Sequence, residues 1–122
     1  MAFKILSKPA RNYGGEPVAA FKAYLLSDNL IGEIFIPAPM VEQLGWKEGT
    51  HFNIAQGDGE DEGWFALIPM NRPAKAKLRQ STTGLYAYRE RTLALGLTKP
   101  VPRADVAARV EDGQFLFMRP NA

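Results

Sequence analysis

The chain has 122 residues, of which 46% are hydrophobic and 23% charged, and its formal net charge is +2. This length and composition predict one folded domain with a single core. With no cysteine and one histidine, the chain excludes disulfide frameworks, thiolate metal sites, cysteine nucleophiles and multi-histidine metal centres. No apolar run reaches the ~18 residues that span a bilayer, and the N-terminal residues do not resemble a secretory leader, so we expect a cytoplasmic protein without membrane contact.

Charge is divided unevenly along the chain. Residues 1–27 sum to +3, residues 28–63 to −7, residues 64–109 to +7 and the remaining tail to −1. A strongly basic segment favours a surface that binds a polyanion. The alternative is that the two oppositely charged segments attract each other within the fold and leave an ordinary solvated surface.

The first predicted elements surround a polar turn at 27–29. Residues 1–17 are interpreted as a flexible basic arm or as an ordinary frayed terminus. Residues 18–26 favour a strand, although a short helix remains an alternative because periodicity cannot decide at this length. Residues 31–36 predict a second strand, which Pro37 ends because proline lacks an amide donor.

A short helix and a hairpin are predicted next. The helix has Pro39 in its first turn and Gly45 at its end, with apolar residues at helical spacing between them. The hairpin has strands at 51–55 and 64–68, joined by a polar loop that includes the acidic run Asp58–Glu62.

The second half of the chain shows a similar order of signals. Alternating segments at 75–80 and 85–97 predict two strands separated by a polar turn. A Pro-x-Pro step at 100–102 then precedes a second predicted hairpin, formed by 106–110 and 114–118, just as such a step precedes the first hairpin.

This order predicts a mainly β fold with one or two short helices, built from two degenerate repeats of one unit within the single domain 1–122. The first unit spans 18–70 and the second 71–120. A lone unit of three or four short strands cannot bury both its faces, so a second copy is needed to remove its edges. Chance is the alternative, because short strands that end in proline are common. The expected core residues are Phe21, Leu25, Ile34, Ile36, Val41, Leu44, Phe52, Ile54, Phe65, Leu67, Leu93, Leu95, Val106, Val110, Phe115 and Phe117.

Residues 31–69 resemble the swapped-hairpin domains of AbrB-type transition-state regulators and MazE-type antitoxins. The pattern of that family is a strand ending in Ile-Pro, a helix reaching Leu-Gly, a Lys-x-Gly turn, a strand and a final hairpin. The matching positions here are Gly32, Ile36, Pro37, Val41, Leu44, Gly45, Lys47, Gly49, Phe52 and Ile54. The resemblance implies a small β-barrel of two interlocked units, as a single-chain pseudo-dimer or a homodimer, and a transcription regulator that binds double-stranded DNA through basic surface residues.

One departure from the family affects the expected DNA contact. Positions that are usually basic in the family hold Glu33, Val41 and Glu42 here, and a carboxylate beside a duplex opposes binding. The second half is richer in cations, so the DNA site is expected there. The candidate nucleic-acid-binding residues are Arg72, Lys75, Lys77, Arg79, Arg89, Arg91, Lys99 and Arg103. Alternate residues on a strand share one face, so Arg89 and Arg91 are expected to lie together; an ordinary solvated sheet face is the alternative.

The remaining candidates give no expectation of catalysis. The loop Asp58–Glu62 lacks the ligand spacing of a calcium site and is predicted to be a polar hairpin tip, or a docking surface for a basic protein. That second possibility would suit an antitoxin or a phage-encoded inhibitor of a host protein. His51 has no cysteine or second histidine to assist it and is assigned no role. With no activated nucleophile among 81–84, we expect neither an enzyme nor a cofactor or metal.

Overall fold

A computed structural model of the chain describes residues 18–70, 76–82 and 84–120. This part contains nine strands, one α-helix and two short 3₁₀ turns. The strands are β1 (Ala20–Leu26), β2 (Asn29–Pro37), β3 (His51–Gln56), β4 (Trp64–Met70), β5 (Arg79–Thr82), β6 (Leu85–Glu90), β7 (Val101–Asp105), β8 (Ala108–Glu111) and β9 (Gln114–Met118). The helix α1 spans Ala38–Leu44, and the 3₁₀ turns span Gly59–Asp61 and Arg91–Ala94. No helix in these ranges is long and apolar enough to cross a membrane.

The strands form two antiparallel sheets. The five-stranded sheet has the order β5-β6-β2-β1-β7, and the four-stranded sheet has the order β3-β4-β9-β8. The prediction of a mainly β fold is therefore confirmed. The barrel prediction is not confirmed: no closed barrel is seen among the described strands, which belong to two sheets.

An aromatic core joins the two sheets. Phe21 of β1 stacks on Phe117 of β9 with ring centroids 6.1 Å apart, and Phe117 also stacks on Phe65 of β4 at 5.9 Å. Phe52 of β3 meets Tyr88 of β6 edge-on at 4.8 Å. All five rings are buried. Burying side chains of this size contributes about 1.5–3 kcal/mol each, so this cluster dominates the packing between the sheets.

Most of the predicted core is buried, but the prediction is wrong for Leu25 and Leu95, which are 60% and 61% exposed. Leu25 lies at the tip of the β1–β2 hairpin, past Ala23, where pairing with β7 ends and the tip extends beyond the sheet. Leu95 follows the second 3₁₀ turn and faces outward. Leu78 and Tyr88 are fully buried although they were not among the predicted core residues.

Helix α1 begins and ends where the sequence predicts. Pro37 keeps an extended backbone before the helix, and Pro39 occupies the first turn, where a missing amide costs nothing. Gly45 ends the helix in the left-handed conformation, at φ 74°, so that its amide and that of Trp46 donate to free carbonyls of the last turn.

Strand β6 ends earlier than predicted. The expected strand at 85–97 ends at Glu90, and the following 3₁₀ turn packs against β2 at Gly32. A Cβ atom on Gly32 would lie 2.6 Å from Cβ of Leu93, so only glycine allows this approach. The contact buries Leu93 completely.

Arg119 secures the same turn from the C-terminal side. It is only 7% exposed, and its Nη1 donates to the carbonyls of Leu93 at 3.0 Å and Leu95 at 2.6 Å. Its guanidinium also lies 4.5 Å from the ring centroid of Phe65. Burial lowers the pKa of Arg119 from its ordinary value. The 3₁₀ turn is thereby held between the two sheets.

The two Pro-x-Pro steps do not occupy equivalent places, which corrects one part of the predicted repeat. Pro37 ends β2 and Pro39 lies in the first turn of α1, whereas Pro100 precedes β7 and Pro102 lies within it. Proline is tolerated in β7 because that strand forms an edge of its sheet. The sequence did not predict β7.

Candidate nucleic-acid interface

The five-stranded sheet has one face on the core and the other turned outward. Side chains alternate, so Phe21 and Ile34 point inward while their neighbours point away from the core. Four cations lie on the outward side, which we call the basic face: Lys22, Arg79, Arg89 and Arg103. Asp105 lies at the β7 edge of this face and Glu33 at its centre.

Glu33 is surrounded by cations of the basic face. It pairs across strands with Lys22 on β1 and with Arg89 on β6, forming one row across the sheet. Its carboxylate lies 3.0 Å from Nη2 of Arg79 and 3.8 Å from Nζ of Lys22. The residue is only 4% exposed. A carboxylate so buried is stable only with such partners, and Glu33 in turn holds their side chains in place.

Aromatic residues orient two other cations of this face. The guanidinium of Arg103 lies 4.1 Å from the ring centroid of Phe35, a contact between a cation and an aromatic ring. Nη1 of Arg89 donates to the Tyr24 hydroxyl at 3.3 Å, and this hydrogen bond raises the pKa of Arg89 above its ordinary value. Both arginines are therefore partly ordered before any ligand arrives.

A groove lies between the β1–β2 hairpin tip and the chain around β5 and β6. It has a volume of about 640 Å³, and four cations line it: Lys77, Arg79, Arg89 and Arg91. We call it the basic groove. Arg89 and Arg91 were expected to alternate along one strand, but Arg91 begins the 3₁₀ turn instead. Arg89, on β6, and Arg91, in the turn, nevertheless both line this groove.

The other predicted site residues are more scattered. Arg103 lies on β7, at the end of the basic face farthest from β5 and β6. Lys99 is exposed in the loop before β7 and does not line the basic groove. Arg72 and Lys75 lie outside the described residues.

Sequence reasoning missed Lys22 and Tyr24. Both come from the N-terminal half of the chain, whereas the site was expected in the basic C-terminal half. Their alternation with Phe21 and Ala23 along β1 was the available signal, because it turns them toward the face opposite the core. The pairing of β1 with β2, and of β2 with β6, then unites residues from both halves on one face.

The acidic loop lies on the other sheet. Asp58–Glu62 is exposed in the β3–β4 connection and contains the first 3₁₀ turn. Its one ion pair within the described residues joins Asp61 to Arg109 at 3.9 Å. Nδ1 of His51 contacts the Ala76 carbonyl at 2.9 Å, which ties β3 to the segment before β5. Three or more metal-ligating side chains do not cluster anywhere in the described part of the chain.

The resemblance of residues 31–69 to AbrB-type domains rests on the matching positions of the sequence alone. The chain matches no protein-family model, no curated protein and no solved structure.

Proposed function

We propose that this protein is an AbrB-like transcription regulator that binds double-stranded DNA through the basic face, without a cofactor and without catalysis. The observation that carries the proposal is the row Lys22–Glu33–Arg89, flanked by Arg79 and Arg103, on an outward sheet face. The alternative of a merely solvated face is less favoured, because aromatic partners partly order two of the arginines.

The charges on this face fit a phosphate backbone. Phosphate contacts are made by Lys and Arg, and neighbouring strands place such residues about 4.8 Å apart across a sheet. Ordered guanidinium groups lose less freedom when they bind than extended flexible ones do. Glu33 does not leave an unpaired negative charge on this face, since its carboxylate is already bound by Lys22 and Arg79.

We also propose that the chain is a single-chain pseudo-dimer of two degenerate units. The hairpin β1–β2 pairs with the hairpin β5–β6 through β2 and β6, their second strands. The hairpin β3–β4 pairs with β8–β9 in the same way, through β4 and β9. Each half thus contributes one hairpin to each sheet, in the same order.

Local features support the same interpretation. A short helical segment follows β2 and another follows β6, and a Leu-Gly step lies at the end of each, Leu44-Gly45 and Leu95-Gly96. The glycines of these steps, Gly45 and Gly96, have left-handed φ angles of 74° and 85°. Counted from the start of its strand, Glu33 is the fifth residue of β2 and Arg89 the fifth of β6, and the two are direct cross-strand partners. A monomer by light scattering is expected; a stable dimer would contradict the pseudo-dimer.

The test of DNA binding is the affinity for a duplex measured against salt concentration. Wild-type binding should weaken steeply as salt rises. A variant with Arg89→Ala, Arg91→Ala and Arg103→Ala should bind more weakly, with the logarithmic salt slope reduced by about 0.9 for each lost phosphate contact. Arg109→Ala, on the other sheet, is the control and should keep the wild-type slope. An absence of duplex binding at low salt would overturn the proposal.

A second candidate function is a protein-binding module that docks a basic partner through Asp58–Glu62. The exposure of this loop, on the sheet that does not carry the basic face, favours it. A variant with Glu60→Gln, Asp61→Asn and Glu62→Gln should then lose a tightly bound basic partner, because opposite charge steers and retains such a partner. Unchanged partner recovery with this variant would exclude the loop as the docking surface.

A further inference from the structure

The basic groove combines two kinds of surface. Lys77, Arg79, Arg89 and Arg91 supply four cations, while the apolar side chains of Leu26 and Ile31 line the same groove. Leu26 is 50% exposed, so its side chain is accessible to a ligand. A ligand that offered only a phosphate backbone would contact the cations but not this apolar surface.

The charge of the groove favours an anionic ligand, and under the proposed function that anion is a phosphate. Glu90 is the one carboxylate that lines it, and its Oε1 already accepts a hydrogen bond of 2.6 Å from the Tyr88 hydroxyl. No hydrogen bond or ion pair joins the side chain of Lys77 or Arg91 to another described residue. Two cations of the groove are thus available, and the other two are already oriented by Glu33 and Tyr24.

The apolar surface of the groove favours a ligand that also has a hydrophobic part. Leu26 and Ile31 lie on the outward side of the β1–β2 hairpin, close to its tip, where the strands extend past the edge of β7. In a duplex the base faces are stacked on each other and cannot reach such a surface. An unpaired nucleotide offers both a phosphate and a free base face.

We propose that the basic groove binds a nucleoside phosphate whose base is unstacked. Its phosphate contacts Lys77, Arg79, Arg89 and Arg91, and its base packs on Leu26 and Ile31. The source is an unpaired nucleotide within a nucleic-acid strand or a free nucleotide. The inference extends the proposed function and rests on it only for the phosphate contacts, because recognition of a base face is additional to duplex binding.

The test compares a short labelled oligothymidine with an abasic strand of equal length, which carries the same phosphates and no bases. Fluorescence anisotropy should show oligothymidine binding on the order of tenfold more tightly than the abasic strand. Leu26→Ala should remove most of this difference. Leu25→Ala is the matched control, because Leu25 is the adjacent residue, is also exposed, and points to the other side of β1. It should keep the difference.

Free ligands distinguish the source of the nucleotide. Displacement of oligothymidine by thymidine monophosphate, at concentrations where inorganic phosphate has no effect, would support a base-recognising groove open to free nucleotides. Equal displacement by inorganic phosphate would overturn the inference, as would equal affinity for the oligothymidine and the abasic strand. Equal affinity for these strands together with intact, salt-sensitive duplex binding would reject the base site alone. Base selectivity without duplex binding would instead reject the proposed function.

Discussion

The outer faces of the two sheets differ in chemistry although their inner faces share one aromatic core. The five-stranded sheet turns the basic face outward. The four-stranded sheet turns outward a set of half-buried apolar residues, Trp64, Ala66, Ile68 and Leu116. Inward residues must fit their neighbours in the core, whereas outward residues are constrained mainly by what the face contacts. The two outward faces therefore offer different surfaces to a ligand, one of cations and one of apolar side chains.

One pair of arginines shows this contrast in detail. Arg103 lies over Phe35 on the basic face, and Arg109 lies over Trp64 on the other sheet at 4.4 Å. Arg109 also forms ion pairs with Asp61 and Glu111, at 3.9 and 3.2 Å. No ion pair within the described residues involves Arg103. The same stacked geometry thus leaves one cation compensated and the other available to a ligand.

The largest expected effect comes from a substitution in the core that lies beneath both outward faces. Phe117→Ala removes a fully buried ring that contacts Phe21, Phe65 and Phe115, and should lower the free energy of unfolding by about 3–5 kcal/mol. Met118→Ala, at the next residue and on the outward side, should cost less than about 1 kcal/mol. Denaturant titration measures both. Similar losses for the two variants would contradict the assignment of inward and outward faces.

A smaller effect is expected from changing one carboxylate on each outer face. Glu33→Gln removes the charge that competes with phosphate for Lys22 and Arg79, so both cations should bind phosphate more tightly. Duplex affinity should rise by about threefold to tenfold, and the logarithmic salt slope should steepen by up to about 0.9 for each of the two cations. Glu111→Gln, which removes one of the two carboxylates paired with Arg109 on the other sheet, should change duplex affinity little. A drop in duplex affinity with Glu33→Gln would show that Glu33 orients the cations more than it occupies them.

The smallest effects should separate the two stacked arginines. Arg103→Ala and Arg109→Ala each lose a contact with an aromatic ring, and each should lower the free energy of unfolding by about 0.5–1 kcal/mol. Only Arg103→Ala should also weaken duplex binding, by the amount expected for one phosphate contact. Thermal unfolding and salt titration measure the two properties separately. Equal binding losses for both variants would remove the distinction between the faces.

Much of the first half of the fold was predictable because its signals are local. Pro37 and Gly45 mark the boundaries of α1 through their own backbone restrictions. The alternation and turn residues of 51–68 likewise predict β3 and β4, which the structure contains. The candidate site was only partly predictable. Basic residues were identified by type, but Lys22 was missed, and Lys99 does not line the basic groove with the other cations.

By itself the sequence determined the mainly β character, the helix boundaries and most of the core. Proline, glycine and the alternation of apolar with polar residues each constrain the backbone within only a few residues. Only the tertiary structure decided which cations lie next to one another. The placement of β2 between β1 and β6 aligns Lys22, Glu33 and Arg89 in one row, and the space over Gly32 lets the 3₁₀ turn carry Arg91 to the groove. These contacts join residues far apart in the chain, so the basic face exists only once the strands have paired.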